Sequence, residues 1–187
     1  TQSLQIWGNL ELFTEGSQSL SGGVSFFYGD QIRTTLQLTA GRTWGEQIPG
    51  HTTFRIGGDL TEGYFTRRAP RLFPVRGFDS NVIEAPTVAT ATAEVYWPLA
   101  NLQRGYGTLP LFLHRLRLGT FVDAGYAKPD SGGDSYLVGA GLELLTSVEV
   151  GWGGMSTFRI GVSWPLEQPD GLDQDGPVFI FQIGRPL

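Results

Sequence analysis

The sequence predicts an all-β chain: an antiparallel transmembrane β-barrel with about eight strands in these 187 residues. Three observations lead there. Helical periodicity is hard to find, whereas apolar and polar residues alternate in segments of about ten residues separated by Gly, Pro, Asp and Asn clusters. Only 17% of residues are charged and 27 are glycine, against about 25% charged and about 7% glycine in ordinary soluble domains. Finally, the charges within the strands fall on the less apolar face.

Taken in order, the alternation places strands near 2–13, 19–29, 31–42, 51–60, 87–98, 111–125, 135–146, 154–166 and 177–186. In the first, Leu4, Ile6, Leu10 and Leu12 alternate with Gln5, Trp7, Asn9 and Glu11; in the third, Ile32, Leu36, Leu38 and Ala40 oppose Arg33, Thr35 and Gln37. If the more apolar face points outward, it carries Phe54 and Ile56; Ala89, Ala91, Ala93, Val95 and Trp97; Leu116, Leu118, Val122 and Ala124; and Phe158, Ile160, Val162 and Trp164. The other face carries Glu11, Arg33, Arg55, Asp59, Glu94, Arg115, Arg117, Asp123, Glu143 and Arg159. A lipid-facing Arg or Lys at mid-bilayer costs roughly 2–4 kcal/mol, whereas a lumen-facing one is tolerated. Arg42 and Arg185 break the rule at strand ends, where they can snorkel.

Nine strands is an odd number where bacterial single-chain barrels are even, so one of the nine is expected not to be a barrel strand, with 2–13 the first candidate. Trp97-Pro98 and Trp164-Pro165 are read as strand ends, because proline cannot continue the ladder and tryptophan suits a headgroup girdle. The connection from Ala100 to Pro110 is longer than a tight turn. A soluble β-sandwich binding module remains an alternative, since its strands also alternate and turn their apolar face into a core.

Other classes are excluded or weakened. The longest run without a charge, Gly16 to Gly29, has 14 residues, short of the roughly 20 apolar residues of a spanning helix. The net charge of -5 argues against nucleic-acid binding. Without cysteine there is no disulfide, thiol nucleophile or Cys-ligated zinc. The chain begins at Thr1 without a charged-then-apolar leader, so any signal peptide is expected to have been removed or to lie outside this sequence. His51 and His114 sit in no nucleophile or metal spacing, and no Gly-x-Ser-x-Gly or His-Glu-x-x-His motif is present. The expectation is a single domain over 1–187 with no catalytic activity, cofactor or metal.

The longest irregular stretch, about 61–86, mixes Phe, Pro, Val and Arg. Loops this long are usually functional or disordered, and this composition suggests an ordered loop packed against something. Arg67, Arg68 and Arg71 read as a solvated patch. Arg76 stands apart in Val75-Arg76-Gly77-Phe78.

With that run the sequence resembles the BamA/TamA superfamily of outer-membrane assembly and translocation barrels, also called the bacterial surface antigen family. The matching residues are Phe54-Arg55-Ile56-Gly57-Gly58, Val75-Arg76-Gly77-Phe78, Ala93-Glu94-Val95-Tyr96-Trp97-Pro98-Leu99 and Phe121-Val122-Asp123-Ala124-Gly125, in that order. The end, Phe181 to Leu187, also looks like the family's last strand, but closes on Leu187 where an aromatic is usual. The resemblance runs from about residue 50 onward. It implies that the loop folds into the lumen, that Arg76 pairs with Glu94 and Asp123, and that the loop tip bearing Arg76, Gly77 and Phe78 braces the lumen. It also implies insertion or translocation of client outer-membrane or secreted proteins at the bacterial outer membrane, in contact with its lipid. Family barrels have about 16 strands, so this chain would be half of one, completed by a missing half or a second copy. A small self-contained barrel acting as a passive pore, anchor or scaffold is the other membrane reading.

Overall fold

The computed structural model describes residues 2–13, 17–28, 32–44, 53–58, 72–105, 111–130, 133–151 and 154–184. All regular structure in them is β. The strands are β1 (Gln2–Phe13), β2 (Ser17–Tyr28), β3 (Ile32–Thr43), β4 (Phe54–Ile56), β5 (Leu72–Phe73), β6 (Ile83–Ala85), β7 (Thr87–Gly105), β8 (Leu111–Lys128), β9 (Ser135–Val150), β10 (Gly154–Glu167) and β11 (Val178–Gly184). Eight of them form one sheet in the order β1-β2-β3-β7-β8-β9-β10-β11, antiparallel throughout. The remaining three form a small sheet, β5-β4-β6. Among the described residues, no pairing joins β1 to β11.

Burial in the large sheet is inverted relative to a soluble domain. The apolar face is open: Ile6, Leu38, Ile160 and Phe181 are 73%, 66%, 58% and 61% exposed. The buried face carries Ser25, Thr35, Thr90, Asp123, Glu143, Arg159, Ser163 and Gln182. Cross-strand register keeps these sets apart, because paired residues share a face: Leu38 opposes Ala91, Ala91 opposes Ala124, and Leu144 opposes Ile160. A one-residue slip anywhere would exchange the two faces.

The small sheet lies against the polar face and supplies an apolar core at one end of it. Phe54, Ile56, Phe73, Val75, Phe78 and Ala85 pack onto Val88, Ala127 and Leu137 of the large sheet, with the Phe54 and Phe73 rings edge to face at 5.2 Å. Close approaches to Gly41 of β3, Gly125 of β8, Gly139 of β9 and Trp164 of β10 show the same loop meeting several strands. The large sheet therefore curls around it.

Several expectations need correction. The strand expected over 51–60 shrinks to Phe54–Ile56 and belongs to the small sheet, so it is the one of the nine that drops out of the large sheet, while 2–13 pairs with β2 along its whole length. Phe54 and Ile56 do not face outward; both are fully buried, whereas Arg55 is half exposed and pairs with Glu84 at 3.1 Å. The pattern Phe-Arg-Ile is the same whether its apolar side meets lipid or another layer. Asp59 and residues 61–71, with Arg67, Arg68 and Arg71, lie outside the described residues, as do Arg185 and His51. Pro98 does not end its strand. β7 runs on to Gly105, with register shifts after Pro98 and Asn101, so Pro98 sits at an irregularity of the ladder, where a missing N–H is tolerated. The connection expected over Ala100–Pro110 is shortened accordingly.

Candidate functional site

The turn after β5 carries Val75, Arg76, Gly77 and Phe78, all buried. Gly77 has φ +106°, and a Cβ there would stand 2.9 Å from the Trp164 carbonyl oxygen. Only glycine takes both that conformation and that proximity without strain. On the facing strand, a Cβ at Gly139 would run into the Arg76 carbonyl. The two glycines let loop backbone lie directly on sheet backbone, and this brings Arg76 deep onto the polar face.

Arg76 is 1% exposed and grips Asp123 three times. Its Nε donates to Oδ2 at 2.6 Å, its Nη2 to Oδ1 at 2.8 Å, and its backbone N–H to Oδ2 at 3.0 Å. The side-chain pair is the planar fork that a guanidinium matches to a carboxylate. Nη2 also meets Glu94 Oε1 at 2.8 Å, and Nη1 lies 3.7 Å from Glu143 Oε2. The guanidinium carbon stacks 3.6 Å from the centre of the Phe121 ring, a cation–π contact strengthened by desolvation. Burial alone would lower the guanidinium's pKa; hydrogen bonding and charge from Asp123, then the charges of Glu94 and Glu143, outweigh it and hold it above the ordinary arginine value.

A second ring of contacts ties these carboxylates together. The Tyr96 hydroxyl lies 2.7 Å from Glu143 Oε1 and 3.1 Å from Glu94 Oε2, placed to donate its proton to either. Arg159 Nε lies 3.5 Å from Glu143 Oε2. Two guanidinium groups and three carboxylates are thus collected from the loop, β7, β8, β9 and β10.

The structure brings together all five residues singled out from the sequence. Arg76, Glu94 and Asp123 are in direct contact, Gly77 shapes the turn, and Phe78 anchors it in the apolar core. It adds Glu143, Arg159, Tyr96, Phe121 and Gly139. Sequence alternation places Glu143 and Arg159 on the polar face, but parity alone does not tell which polar-face charges meet. Their proximity follows from register, with Glu143 opposite Gly119 and Gly161, and Arg159 opposite Leu145.

His114 lies at a register shift in β8 with its Nε2 3.2 Å from Glu149 Oε2, beside the Phe112 ring. Among the described residues, no group of His, Cys, Asp and Glu is arranged to hold a metal ion, and no helix is long and apolar enough to cross a membrane. The carboxylates of the Arg76 cluster lie against guanidinium or hydroxyl groups. Its chemistry is that of a lock between loop and sheet. Comparison with protein-family models, with curated proteins and with solved structures gives no match.

Proposed function

We propose that the chain forms part of an outer-membrane β-barrel of the BamA/TamA type, acting in the insertion or translocation of client proteins at the bacterial outer membrane. The observation that carries the reading is the inverted sheet, apolar where exposed and ionic where buried, with a loop locked to its polar face by Arg76. A bilayer is the solvent that makes such an arrangement favourable. β1–β3 and β7–β10 run 12 to 19 residues, more than the roughly 9–11 a tilted membrane strand needs. On the open face, Gly22, Ala40, Ala89 and Ala124 floor an apolar groove of about 660 Å³ flanked by Leu38 and Tyr136, a shape suited to acyl chains.

A soluble sandwich fits poorly, because the face left uncovered is the one it would need to bury. The even count of eight strands favours the self-contained barrel acting as pore, anchor or scaffold. Against that reading stands the room required. A closed eight-stranded barrel encloses little beyond side chains, whereas here the loop backbone itself occupies the polar face, the Arg76 carbonyl lying on Gly139. Further strands, from a missing half or a second copy, would give the loop space. β1 and β11, at the two ends of the strand order, are the edges such strands or a client strand would pair with, through main-chain hydrogen bonds.

The test is client folding. The chain is reconstituted in lipid vesicles and the folding rate of a urea-denatured outer-membrane protein is measured against empty vesicles. Acceleration that falls in Arg76→Ala is expected. No acceleration by a chain that is folded and inserted would overturn the assembly role, and ion conductance under the same conditions would favour the passive pore.

A further inference from the structure

The polar face has a second charged layer, toward the end opposite the apolar core, and its chemistry is the reverse of the first. Arg33 of β3 and Arg115 and Arg117 of β8 line a cavity of about 80 Å³ together with Tyr96, Ser147 and Thr157. Around Arg76 every guanidinium meets carboxylates. Here, among the described residues, none of the three arginines forms an ion pair, and the buried Nε of Arg33 has no hydrogen-bond acceptor. The neighbouring carboxylates are committed elsewhere: Glu94 to Arg76 and Tyr96, Glu143 to Tyr96 and Arg159, and Glu149 to His114.

The register explains why the arginines converge. Arg33 opposes Tyr96 across β3 and β7, Arg117 opposes Leu145, and Arg115 opposes Ser147, which in turn opposes Thr157. Three like charges therefore line one small space with two hydroxyls, Arg33 and Arg117 partly buried and Arg115 exposed. Arg33 is further steadied by the Phe27 ring, 5.6 Å from its guanidinium carbon.

From this geometry we propose that Arg33, Arg115 and Arg117 form an oxyanion site that takes a phosphate group. Guanidinium forks match phosphate oxygens in pairs. Three of them around a compact cavity suit a tetrahedral anion better than a planar carboxylate, and Ser147 and Thr157 add hydroxyl donors. The cavity admits a phosphate, either the free ion or the headgroup of a lipid entering from the membrane, but not a nucleotide. Because the unliganded site holds repelling charges, binding and stability are opposed here: the arginines weaken the empty sheet and strengthen the filled one.

That opposition makes the test specific. The purified chain in a zwitterionic detergent is titrated with inorganic phosphate and with a short-chain phosphatidic acid at constant ionic strength set with chloride, and its unfolding midpoint is followed. A saturable rise is expected in the wild type. The apparent affinity is expected to fall at least tenfold in Arg33→Gln and Arg117→Gln, and those variants should unfold no lower than wild type in chloride alone. Arg42→Gln, on the open face beside Trp44, should bind as wild type does. A response to both probes assigns the site to the free ion, and a response to phosphatidic acid alone assigns it to a lipid headgroup. If neither probe moves the midpoint beyond chloride, or if Arg33→Gln and Arg117→Gln bind like wild type, the proposal is overturned.

Discussion

Removing the Arg76 side chain should cost far more than its contact area suggests, because of what it leaves behind. In Arg76→Ala the carboxylates of Asp123 and Glu143, whose side chains are 3% and 1% exposed, keep Arg159 as their one cationic neighbour among the described residues; it reaches Glu143 at 3.5 Å, beside the Tyr96 hydroxyl at 2.7 Å, and forms no ion pair with Asp123. Stranding one partner of a buried ion pair costs about 3–5 kcal/mol, to which loss of the cation–π contact with Phe121 adds about 2 kcal/mol when desolvated. We therefore expect Arg76→Ala to lose about 3–5 kcal/mol or more, read as a lower urea midpoint and a lower temperature for the heat-induced gel shift. Asp123→Asn should cost less, since its amide oxygen can still accept from Arg76. The double variant should be less destabilised than the sum of the two, with a coupling of up to about 3 kcal/mol, the range for residues in one network. Arg76→Lys should recover part of the loss but not the fork to Asp123. An Arg76→Ala variant within 1 kcal/mol of wild type (about fivefold in the folding constant), or a cycle with additive changes, would refute the lock.

Gly139→Ala should be as damaging as Arg76→Ala, since the new Cβ meets the Arg76 carbonyl and drives the loop off the sheet, and adding Arg76→Ala to it should cost little more; the same urea titration checks both. Gly77→Ala should cost about 1–3 kcal/mol, the range for a residue forced into a sparsely populated backbone conformation, because its φ is +106°. Phe121→Leu removes the ring under the guanidinium and should lose about 1–2 kcal/mol without altering the gel mobility of the folded form. On the open face, Ile160→Arg should lower stability in vesicles by about 2–4 kcal/mol, whereas Thr92→Arg, directed to the polar face opposite Asp123, should be tolerated.

The faces of the long strands were legible because a sheet side chain repeats every two residues, so that one misplaced charge betrays a wrong assignment. That is why Leu38, Ala91, Val122 and Ile160 could be placed opposite Asp123, Glu143 and Arg159 from sequence. The same rule failed at Phe54 and Ile56: three residues carry too little alternation to tell a membrane strand from a strand in a packed layer, and the burial that decides it is tertiary. Pro98 misled for a related reason. A strand accommodates proline where its ladder is irregular, and the register with β8 shifts just after Pro98. The contact between Arg76 and Asp123 was reachable only through family resemblance. Glu143, Tyr96 and Gly139 joined the site through register and backbone proximity, which are set between strands far apart in the chain.

Because the sequence has no cysteine, contact between the apolar face and lipid can be tested residue by residue. Single cysteines at Leu36, Leu38, Val122, Leu144 and Ile160 on one face, and at Gln37, Thr92 and Thr157 on the other, would carry a spin label in lipid vesicles. Accessibility to oxygen, which concentrates in the bilayer, is compared with accessibility to a water-soluble nickel chelate. High oxygen accessibility confined to the first set, repeating every second residue along β3, is the expected result. Water-like accessibility at Leu38, Val122 and Ile160, or protection of those positions from both reagents, would contradict a lipid-facing apolar surface.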